Sequence, residues 1–230
     1  MSRPRLLDLF CGAGGASVGY HRLGFEVVGV DIAPQPEYPY EFHQADAMDY
    51  PLDGFDAIHA SPPCQAFSRV SLLAEHQGRK RSTVDLLTPT RPRLQASGLP
   101  YVIENVKGAP LSGLMLCGSM FNLKVRRHRI FESNILLPPP ARCRHKEQGK
   151  PVGVYGSMGD TVQGTDKATG RWVVGGTTAG TIAEAQDAMG TPWMTRWSSI
   201  KEAIPPAYTE WIAAFLALAV DAQREAERVA

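Results

Sequence analysis

Residues 6–15 read LLDLFCGAGG, an apolar run that contains one acidic residue, Asp8, and leads into a turn rich in glycine. The apolar run predicts a strand, and the residues after the turn predict a helix over about 15–23. Glycine lets the backbone come close to a ligand, and the N-terminus of the following helix would face that ligand. A strand, a glycine turn and a helix in this order are typical of the nucleoside-binding edge of an open α/β sheet.

Similar short apolar runs recur along the chain. They predict further strands at about residues 26–31, 55–60 and 100–104, and further helices at about 83–97 and 207–228. This alternation favours a Rossmann-like, mainly parallel sheet wrapped by helices. Residues 134–199 are rich in Gly, Pro and Thr and predict loops and short strands.

Active groups of mainly parallel sheets gather at the carboxyl ends of the strands. Four candidates fall at predicted strand ends: Cys11, Asp31, Cys64 and Glu104.

Length and composition indicate a soluble α/β protein. A chain of 230 residues with 43% hydrophobic content can bury one core of this kind. The start of the chain does not resemble a signal peptide, and the apolar patch at 211–220 is about half the length of a membrane span. Its four cysteines include no C-x-x-C pair, which does not resemble a secreted disulfide framework. We therefore expect a cytoplasmic protein with free thiols.

Charge is distributed unevenly, although the formal net charge is only +1. Residues 1–60 carry three arginines and nine acids, whereas residues 124–150 carry eight basic and two acidic groups. Residues 69–93 carry six basic and two acidic groups. The pattern is that of a protein whose basic segments meet a phosphate backbone, although a solvated basic surface would look the same.

Three further segments carry candidate chemistry. Cys64 lies in ASPPCQ (60–65), directly after a predicted strand, where two prolines would hold its thiol in place. Glu104 ends the apolar strand YVIENV (101–106), and RRHRIF (126–131) is a basic run that enters an apolar segment. A buried structural cysteine and a surface acid are the alternatives for Cys64 and Glu104 taken singly.

In this order and spacing, DLFCGAGG, PPCQ and ENV resemble the DNA cytosine-5 methyltransferase family, in a short form of the kind found in bacteria or their viruses. The resemblance covers roughly residues 5–131 and resumes near 186–215. It implies a fold of the S-adenosylmethionine-dependent methyltransferase type with a reduced target-recognition region. The implied division is a catalytic and cofactor-binding domain at 1–131, a small recognition or loop-rich region at 132–201, and a C-terminal helix at 202–230 that packs back on the catalytic domain.

The resemblance also implies a mechanism in which Cys64 adds to carbon 6 of a flipped cytosine, which makes carbon 5 nucleophilic. Glu104 would contact ring N3, while Arg127 and Arg129 would contact the base and support the acid. The two arginines alternate with His128, so in a strand they would share one face. Val125 stands where the family has a glutamine.

S-adenosylmethionine is the cofactor that the family implies. Asp31 would hold the ribose and Asp46 the adenine amino group, with Asp49 as an alternative to Asp46. The full set of implied cofactor-binding residues is Asp8, Phe10, Gly12, Gly14, Gly15, Asp31, Ile32, Asp46, Ala47 and Pro62. Residues 200–206, IKEAIPP, resemble the family's I-G-N-A-V-P-P segment near the cofactor, with Lys201 and Glu202 in place of glycine and asparagine.

Double-stranded DNA is the implied substrate, and the small recognition region implies that a protein partner could assist. Residues 66–82 are polar and basic and predict a mobile loop that closes over DNA, with a plain exposed connector as the alternative. The candidate DNA-binding residues are Gln65, Ser68, Arg69, Arg79, Lys80, Arg81 and Arg126.

We expect no metal. Cys117, Cys143 and His145, with His128 as a fourth ligand, do not follow the spacing of a compact zinc motif. Three alternatives to DNA methylation remain open from the sequence: transfer of a different group to cytosine, a DNA-binding descendant without activity, and the same chemistry on RNA or free nucleotides.

Overall fold

The structure is a computed structural model that describes residues 2–64, 84–165 and 172–229. Its centre is a seven-stranded sheet in the order β3-β2-β1-β4-β5-β7-β6. Strands β1 to β5 are parallel, whereas β7 runs antiparallel to both β5 and β6. The seven strands are β1 (Arg5–Leu9), β2 (Glu26–Asp31), β3 (Glu41–Gln44), β4 (Ala57–Ala60), β5 (Tyr101–Val106), β6 (Leu114–Leu116) and β7 (Arg129–Ser133). The predicted Rossmann-like, mainly parallel sheet is confirmed.

Helices cover both faces of this sheet. They are α1 (Gly15–Arg22), α2 (Leu87–Ser97), α3 (Ile182–Met189), α4 (Trp197–Glu202) and α5 (Pro206–Val229). Because side chains alternate along a strand, Leu6 and Val102 pack with α1 and α5 on one face, whereas Leu7 and Ile103 pack with α2 on the other. Both faces of the central strands are therefore buried.

The C-terminal helix α5 packs closely on α1. A Cβ atom on Gly19 would lie 2.1 Å from Thr209 Oγ1, so only glycine allows the two helices to approach this closely. Thr209 in turn donates a hydrogen bond to the Ala16 carbonyl at 2.8 Å. This packing brings the start of α5 next to the glycine turn.

Residues 134–199 hold more regular structure than the sequence predicts. A two-stranded antiparallel pair, β8 (Thr161–Thr165) and β9 (Trp172–Thr177), precedes α3 and α4. The two helices were not predicted, although α3 has a recognisable start: Thr181 Oγ1 accepts a hydrogen bond from the Glu184 amide at 3.1 Å. Met189 and Ile200 from these helices share a buried cluster with Ala13 of the glycine turn.

Among the residues that the structure describes, no helix combines the length and the hydropathy that a membrane span requires.

Candidate active site

A cleft of about 510 Å³ opens at the carboxyl ends of the parallel strands. Its wall includes all four residues predicted at strand ends, namely Cys11, Asp31, Cys64 and Glu104. Parallel strands β1, β2, β4 and β5 bring these side chains to one edge of the sheet, as expected for this topology. The volume lies within the usual range for a small-molecule ligand, about 300–1,000 Å³.

The glycine turn forms the floor of this cleft. Gly12 and Gly14 have φ values of 50° and 82°, which favour glycine. Phe10 also has a positive φ, 60°, and lines the cleft. The Gly12 amide donates to Asp31 Oδ2 at 3.0 Å, so the carboxylate at the end of β2 fixes the turn after β1.

Asp8 lies beneath the turn and is completely buried. Burial raises the pKa of its carboxyl to about 7, against the opposing effect of a short hydrogen bond from Ser17. The second carboxyl oxygen, Oδ1, is buried without a hydrogen-bond partner within the described chain, and Asp8 lines the cleft. The residue therefore offers a hydrogen-bond acceptor or donor to a ligand in the cleft.

The remaining cofactor candidates lie around the same opening. Gly15, Ile32, Asp46, Ala47 and Pro62 all line the cleft, whereas Gly14 and Asp49 do not. The Asp46 side chain accepts a hydrogen bond from the Met48 amide at 2.8 Å, which fixes its carboxylate at the rim. Of the two acids proposed for the adenine amino group, the geometry favours Asp46.

Residues 200–206 also reach the cleft. Glu202, Ala203 and Ile204 line it, together with Ser199 from α4. Glu37 fastens this wall, because its carboxylate accepts hydrogen bonds from Ser199 Oγ at 2.5 Å and from the Thr195 amide at 2.6 Å. The segment resembling I-G-N-A-V-P-P thus lines the same cleft as Gly12 and Asp31.

Cys64 lies on another wall of the same cleft, directly after Pro62 and Pro63, which follow Ser61 at the end of β4. The Asn105 amide group donates to the Pro62 carbonyl at 2.9 Å, so β5 holds the segment that presents the thiol. Burial raises the pKa of Cys64, an effect that the nearby Arg129 charge opposes and the Glu104 charge reinforces. The thiol is therefore protonated at rest and beside a cation that favours the thiolate.

Glu104 and Arg129 form a buried pair. Arg129 lies opposite Val106 in the β5–β7 ladder, so it is a diagonal neighbour of Glu104 on the same face. Arg129 Nε lies 2.9 Å from Glu104 Oε1, but the N–H is not aligned with that oxygen, which has no directed donor among the described residues. Burial raises the pKa of Glu104 above its ordinary value. Arg129, Arg127 and a hydrogen bond with Ser61 oppose this shift without cancelling it. The net pKa of Glu104 is therefore raised, which favours the protonated form relative to an exposed glutamate.

Arg127 is placed differently from Arg129. The prediction that the two share one face of a strand is wrong, because Arg127 has a left-handed backbone with φ of 35° and β7 begins only at Arg129. The Arg127 guanidinium donates to the carbonyls of Val154 and Lys201, at 3.1 and 2.5 Å, and does not line the cleft. Desolvation and the nearby Arg129 lower the pKa of Arg127 to about 9. In this arrangement Arg127 braces the wall formed by residues 200–206.

A buried chain of polar groups reaches Glu104 from behind and was not predicted. Tyr20 Oη lies 2.9 Å from His59 Nδ1, and His59 Nε2 lies 2.8 Å from Ser61 Oγ, which bonds Glu104. Burial lowers the pKa of His59 to about 3, so the imidazole is neutral and donates through one nitrogen only. The sequence signal was a histidine inside an otherwise apolar strand, AIHA at 57–60.

Of the DNA-binding candidates, Gln65, Ser68, Arg69, Arg79, Lys80 and Arg81 lie outside the described residues. Arg126 is half-buried, and its guanidinium lies 3.5 Å from the His145 carbonyl. Exposed cations instead follow β5 and β7, at Lys107, Arg142, Arg144 and Lys146. Three of them, Arg142, Arg144 and Lys146, belong to the basic segment 124–150 noted from the sequence, whereas Lys107 lies outside it.

Comparison with known proteins identifies the family to which the chain belongs. The model of the family described as C-5 cytosine-specific DNA methylase matches residues 4–109. The Type II methyltransferase M.HgiGI of Herpetosiphon aurantiacus is 30% identical over 122 residues, which are 47% of this chain and 94% of that protein. The chain belongs to the C-5 cytosine-specific DNA methylase family.

Other members of the family are longer. The tRNA (cytosine(38)-C(5))-methyltransferase of Rattus norvegicus is 27% identical over 130 residues, which are 49% of this chain but 32% of that protein. The Type II methyltransferase M.XorII of Xanthomonas oryzae is 29% identical over 130 residues, or 47% of this chain and 29% of that protein. The chain thus spans less than a third of the length of these two relatives.

Solved structures confirm the fold over nearly the whole chain. An E. coli prophage-encoded DNA modification methyltransferase superposes with a TM-score of 0.53 at 16% identity, covering 95% of this chain and 99% of its own. The Entamoeba histolytica methyltransferase EhMeth gives 0.55 at 10% identity, covering 94% and 98%. The predicted fold of the S-adenosylmethionine-dependent methyltransferase type is confirmed.

Proposed function

We propose that the protein transfers a methyl group from S-adenosylmethionine to carbon 5 of cytosine in double-stranded DNA, through a covalent bond between Cys64 and carbon 6 of the base. One observation carries this proposal. Cys64, Glu104 and Arg129 meet in the same cleft as the glycine turn and Asp31. A nucleophile, a proton donor and a nucleoside site are the groups that this chemistry requires.

The cleft suits the proposed cofactor. Six acidic side chains and two arginines line it: Asp8, Asp31, Glu37, Asp46, Glu104 and Glu202, with Arg129 and Arg196. This excess of acids favours a cationic ligand, and the buried, unpartnered Asp8 Oδ1 can bond a ligand's polar group. Asp31, Gly12, Phe10 and Asp46 would hold the nucleoside. When bound, S-adenosylmethionine supplies an electrophilic methyl group on a sulfonium centre.

Cys64 would act as the nucleophile. After the thiol has lost its proton to solvent water, the sulfur would add to carbon 6 of the cytosine, and the electron pair of the 5,6 double bond would become available at carbon 5. Once carbon 5 carries the new group and a base has taken its proton, the double bond forms again and the sulfur leaves. Because a stacked cytosine cannot reach Cys64 in the cleft, the base must be flipped out.

Glu104 would stabilise the ring during this addition. Protonation of N3 offsets the negative charge that the attacking sulfur puts on the ring. The raised pKa of Glu104 keeps a proton available, and the chain from Tyr20 through His59 and Ser61 fixes the carboxyl. Arg129 holds the carboxyl from the other side.

The exposed cations after β5 and β7 support a nucleic-acid partner. Lys107 follows Val106, which lines the cleft, and Arg142 and Lys146 are exposed in the loop after β7. These side chains could contact phosphates on either side of the flipped nucleotide.

The experiment that tests this proposal is incubation of the pure protein with duplex DNA and S-adenosylmethionine that carries a deuterated methyl group, followed by nucleoside mass analysis. We expect labelled 5-methyldeoxycytidine with the wild type and none with Cys64→Ser. Absence of modified cytosine from DNA and RNA alike would contradict the proposal. A product of different mass would identify another transferred group.

RNA is the second candidate substrate, because a tRNA methyltransferase matches a similar share of the chain, 49% against 47%, about as well as M.XorII does. The groups in the cleft act on the flipped base and not on the sugar. A parallel incubation with tRNA separates the two substrates: labelled 5-methylcytidine in the tRNA arm alone would replace DNA with RNA.

A further inference from the structure

Four side chains that commonly bind metals meet at one place outside the cleft. They are Cys117, His128, Cys143 and His145, and their ligand atoms all lie within 4.8 Å of one another. Cys117 follows β6, His128 directly precedes β7, and the other two lie in the loop after β7. None of the four is among the residues that line the cleft.

The distances resemble those of a tetrahedral site. Cys117 Sγ lies 3.2 Å from His145 Nε2, and Cys143 Sγ lies 3.6 Å from His128 Nε2. With zinc–sulfur bonds near 2.3 Å and zinc–nitrogen bonds near 2.0 Å, neighbouring ligand atoms of a tetrahedron are about 3.3–3.8 Å apart. The two imidazole rings lie close together, with centroids 5.1 Å apart and an angle of 80° between their planes, and each presents its Nε2 to a thiol of the cluster.

We propose that these four residues bind a structural zinc ion. Two thiolates and two imidazoles in a tetrahedral arrangement are the donor set that selects zinc among the common metals. The two thiolate charges would balance the charge of the ion, so the site would add no net charge beside the neighbouring cations. Four protein ligands leave no open position, which makes the site structural and not catalytic.

The backbone around the ligands is held by its own hydrogen bonds. The Gly118 amide donates to the Arg126 carbonyl at 2.8 Å, which brings the residue after Cys117 next to the arginine segment. Ser119 Oγ accepts from the Arg144 amide at 3.0 Å and lies 3.2 Å from Cys117 Sγ. These bonds join the three chain segments that supply the ligands.

The position of His128 gives the metal a second role. His128 lies between Arg127 and Arg129, and its carbonyl accepts a hydrogen bond from Arg129 Nη1 at 3.0 Å. A ligated His128 would fix the segment that presents Arg129 to Glu104. This positioning role rests on the proposed function, whereas zinc binding does not.

Zinc content tests the site directly. The full chain is purified under reducing conditions without chelator, and its metals are measured by elemental mass spectrometry. We expect about one zinc ion per chain in the wild type and loss of zinc in Cys143→Ser and His145→Ala. Cys64→Ser and His43→Ala, which remove a thiol and an imidazole outside the cluster, should keep the metal.

Cobalt substitution covers the case in which a variant fails to fold. The reduced, metal-free wild type should develop the visible bands of tetrahedral cobalt(II) and a thiolate-to-cobalt charge-transfer band, and zinc should displace the cobalt.

Chelation should lower the melting temperature of the wild type, and zinc but not magnesium should restore it. In the methyl-transfer assay, chelation should lower kcat and leave the affinity for S-adenosylmethionine unchanged.

Three outcomes would overturn the zinc site. In the first, the wild type contains no zinc and gives no thiolate–cobalt band. In the second, Cys143→Ser and His145→Ala both retain the metal. In the third, protein prepared under reducing conditions contains a Cys117–Cys143 disulfide. Because metal content is measured without turnover, these outcomes leave the proposed function intact, and failure of methyl transfer leaves the zinc measurement intact.

Discussion

The two walls of the cleft are assembled in different ways. The nucleoside wall, residues 5–60, takes its polar groups from turns directly after parallel strands, and bonds between neighbouring strand ends, such as the one from the Gly12 amide to Asp31, fix them. The opposite wall, residues 101–133, depends on partners distant in sequence: Asn105 holds Pro62, and Arg127 holds Lys201. The turn and Asp31 of the first wall are therefore fixed within residues 5–60, although Glu37 of this wall also bonds Ser199. The second wall forms only when distant segments of the chain have come together.

Cys64→Ser should have the largest effect and should separate the two walls most clearly. We expect turnover to fall by about 10⁴-fold or more, because the hydroxyl is a much weaker nucleophile than a thiolate. Affinity for S-adenosylmethionine, measured by calorimetry, should be unchanged because the nucleoside wall is intact. Retention of more than a few per cent of the activity would remove Cys64 from the mechanism.

Glu104→Gln should lower the rate by about 10²–10³-fold, since an amide keeps the shape of the side chain but supplies no proton. The wild-type rate should also decline as pH rises through the raised pKa of Glu104, because the proton donor is then lost. This declining limb should be absent from the residual activity of Glu104→Gln. If Glu104→Gln kept the wild-type rate, or showed the same decline with rising pH, Glu104 would have no part in the reaction.

Asp8→Asn should change how the stability of the ligand-free protein depends on pH. The pKa of Asp8 is raised from 3.8 to about 7, so the folded protein binds more protons than the unfolded chain between these values. The free energy of unfolding should therefore decrease as pH rises through that window, by up to about 4 kcal/mol from this residue. Asp8→Asn should flatten the decrease in a series of urea titrations, and an unchanged slope would assign it to other groups.

Asn105→Asp should weaken the opposite wall alone. Aspartate can still accept the bond from the Val106 amide but cannot donate to the buried Pro62 carbonyl. We expect a decrease of about 1–3 kcal/mol in the free energy of unfolding, measured in urea, together with a lower kcat. Unchanged kcat with lower stability would mean that the Pro62 bond serves folding and not the position of Cys64.

Replacing Arg142 and Lys146 by alanine should have the smallest effect. Both side chains are exposed, and removing one cation that neutralises a phosphate should reduce the slope of log affinity for DNA against log salt by about 0.9. Arg228→Ala, on the exposed end of α5, is the matched control and should keep the wild-type slope. An unchanged slope in the double variant would place the DNA path elsewhere.

The sequence was sufficient to locate the strand-end residues of the cleft, because these residues need only the strand pattern to be located. Asp31, Cys64 and Glu104 were placed in this way, and so were the limits of the main strands and of α5. Arg127 could not be placed, since its left-handed backbone interrupts the strand pattern and its contacts come from distant residues, among them the Tyr208 hydroxyl, which donates to the Arg127 carbonyl at 2.9 Å. The His59 chain was missed for a related reason, because its members come from separate segments that only the fold brings together. Cys117, His128, Cys143 and His145 were considered together from the sequence but set aside on their spacing, since only the fold shows that their ligand atoms are close.

The most direct test of the mechanism is covalent trapping on DNA that contains 5-fluorocytosine. Fluorine at carbon 5 cannot leave as a proton does, so the bond between sulfur and carbon 6 should persist after methyl transfer. Peptide mapping by mass spectrometry should then find the nucleotide on Cys64, with S-adenosylmethionine required for a stable adduct. Absence of an adduct with active enzyme, or an adduct on Cys11, Cys117 or Cys143, would contradict the central claim.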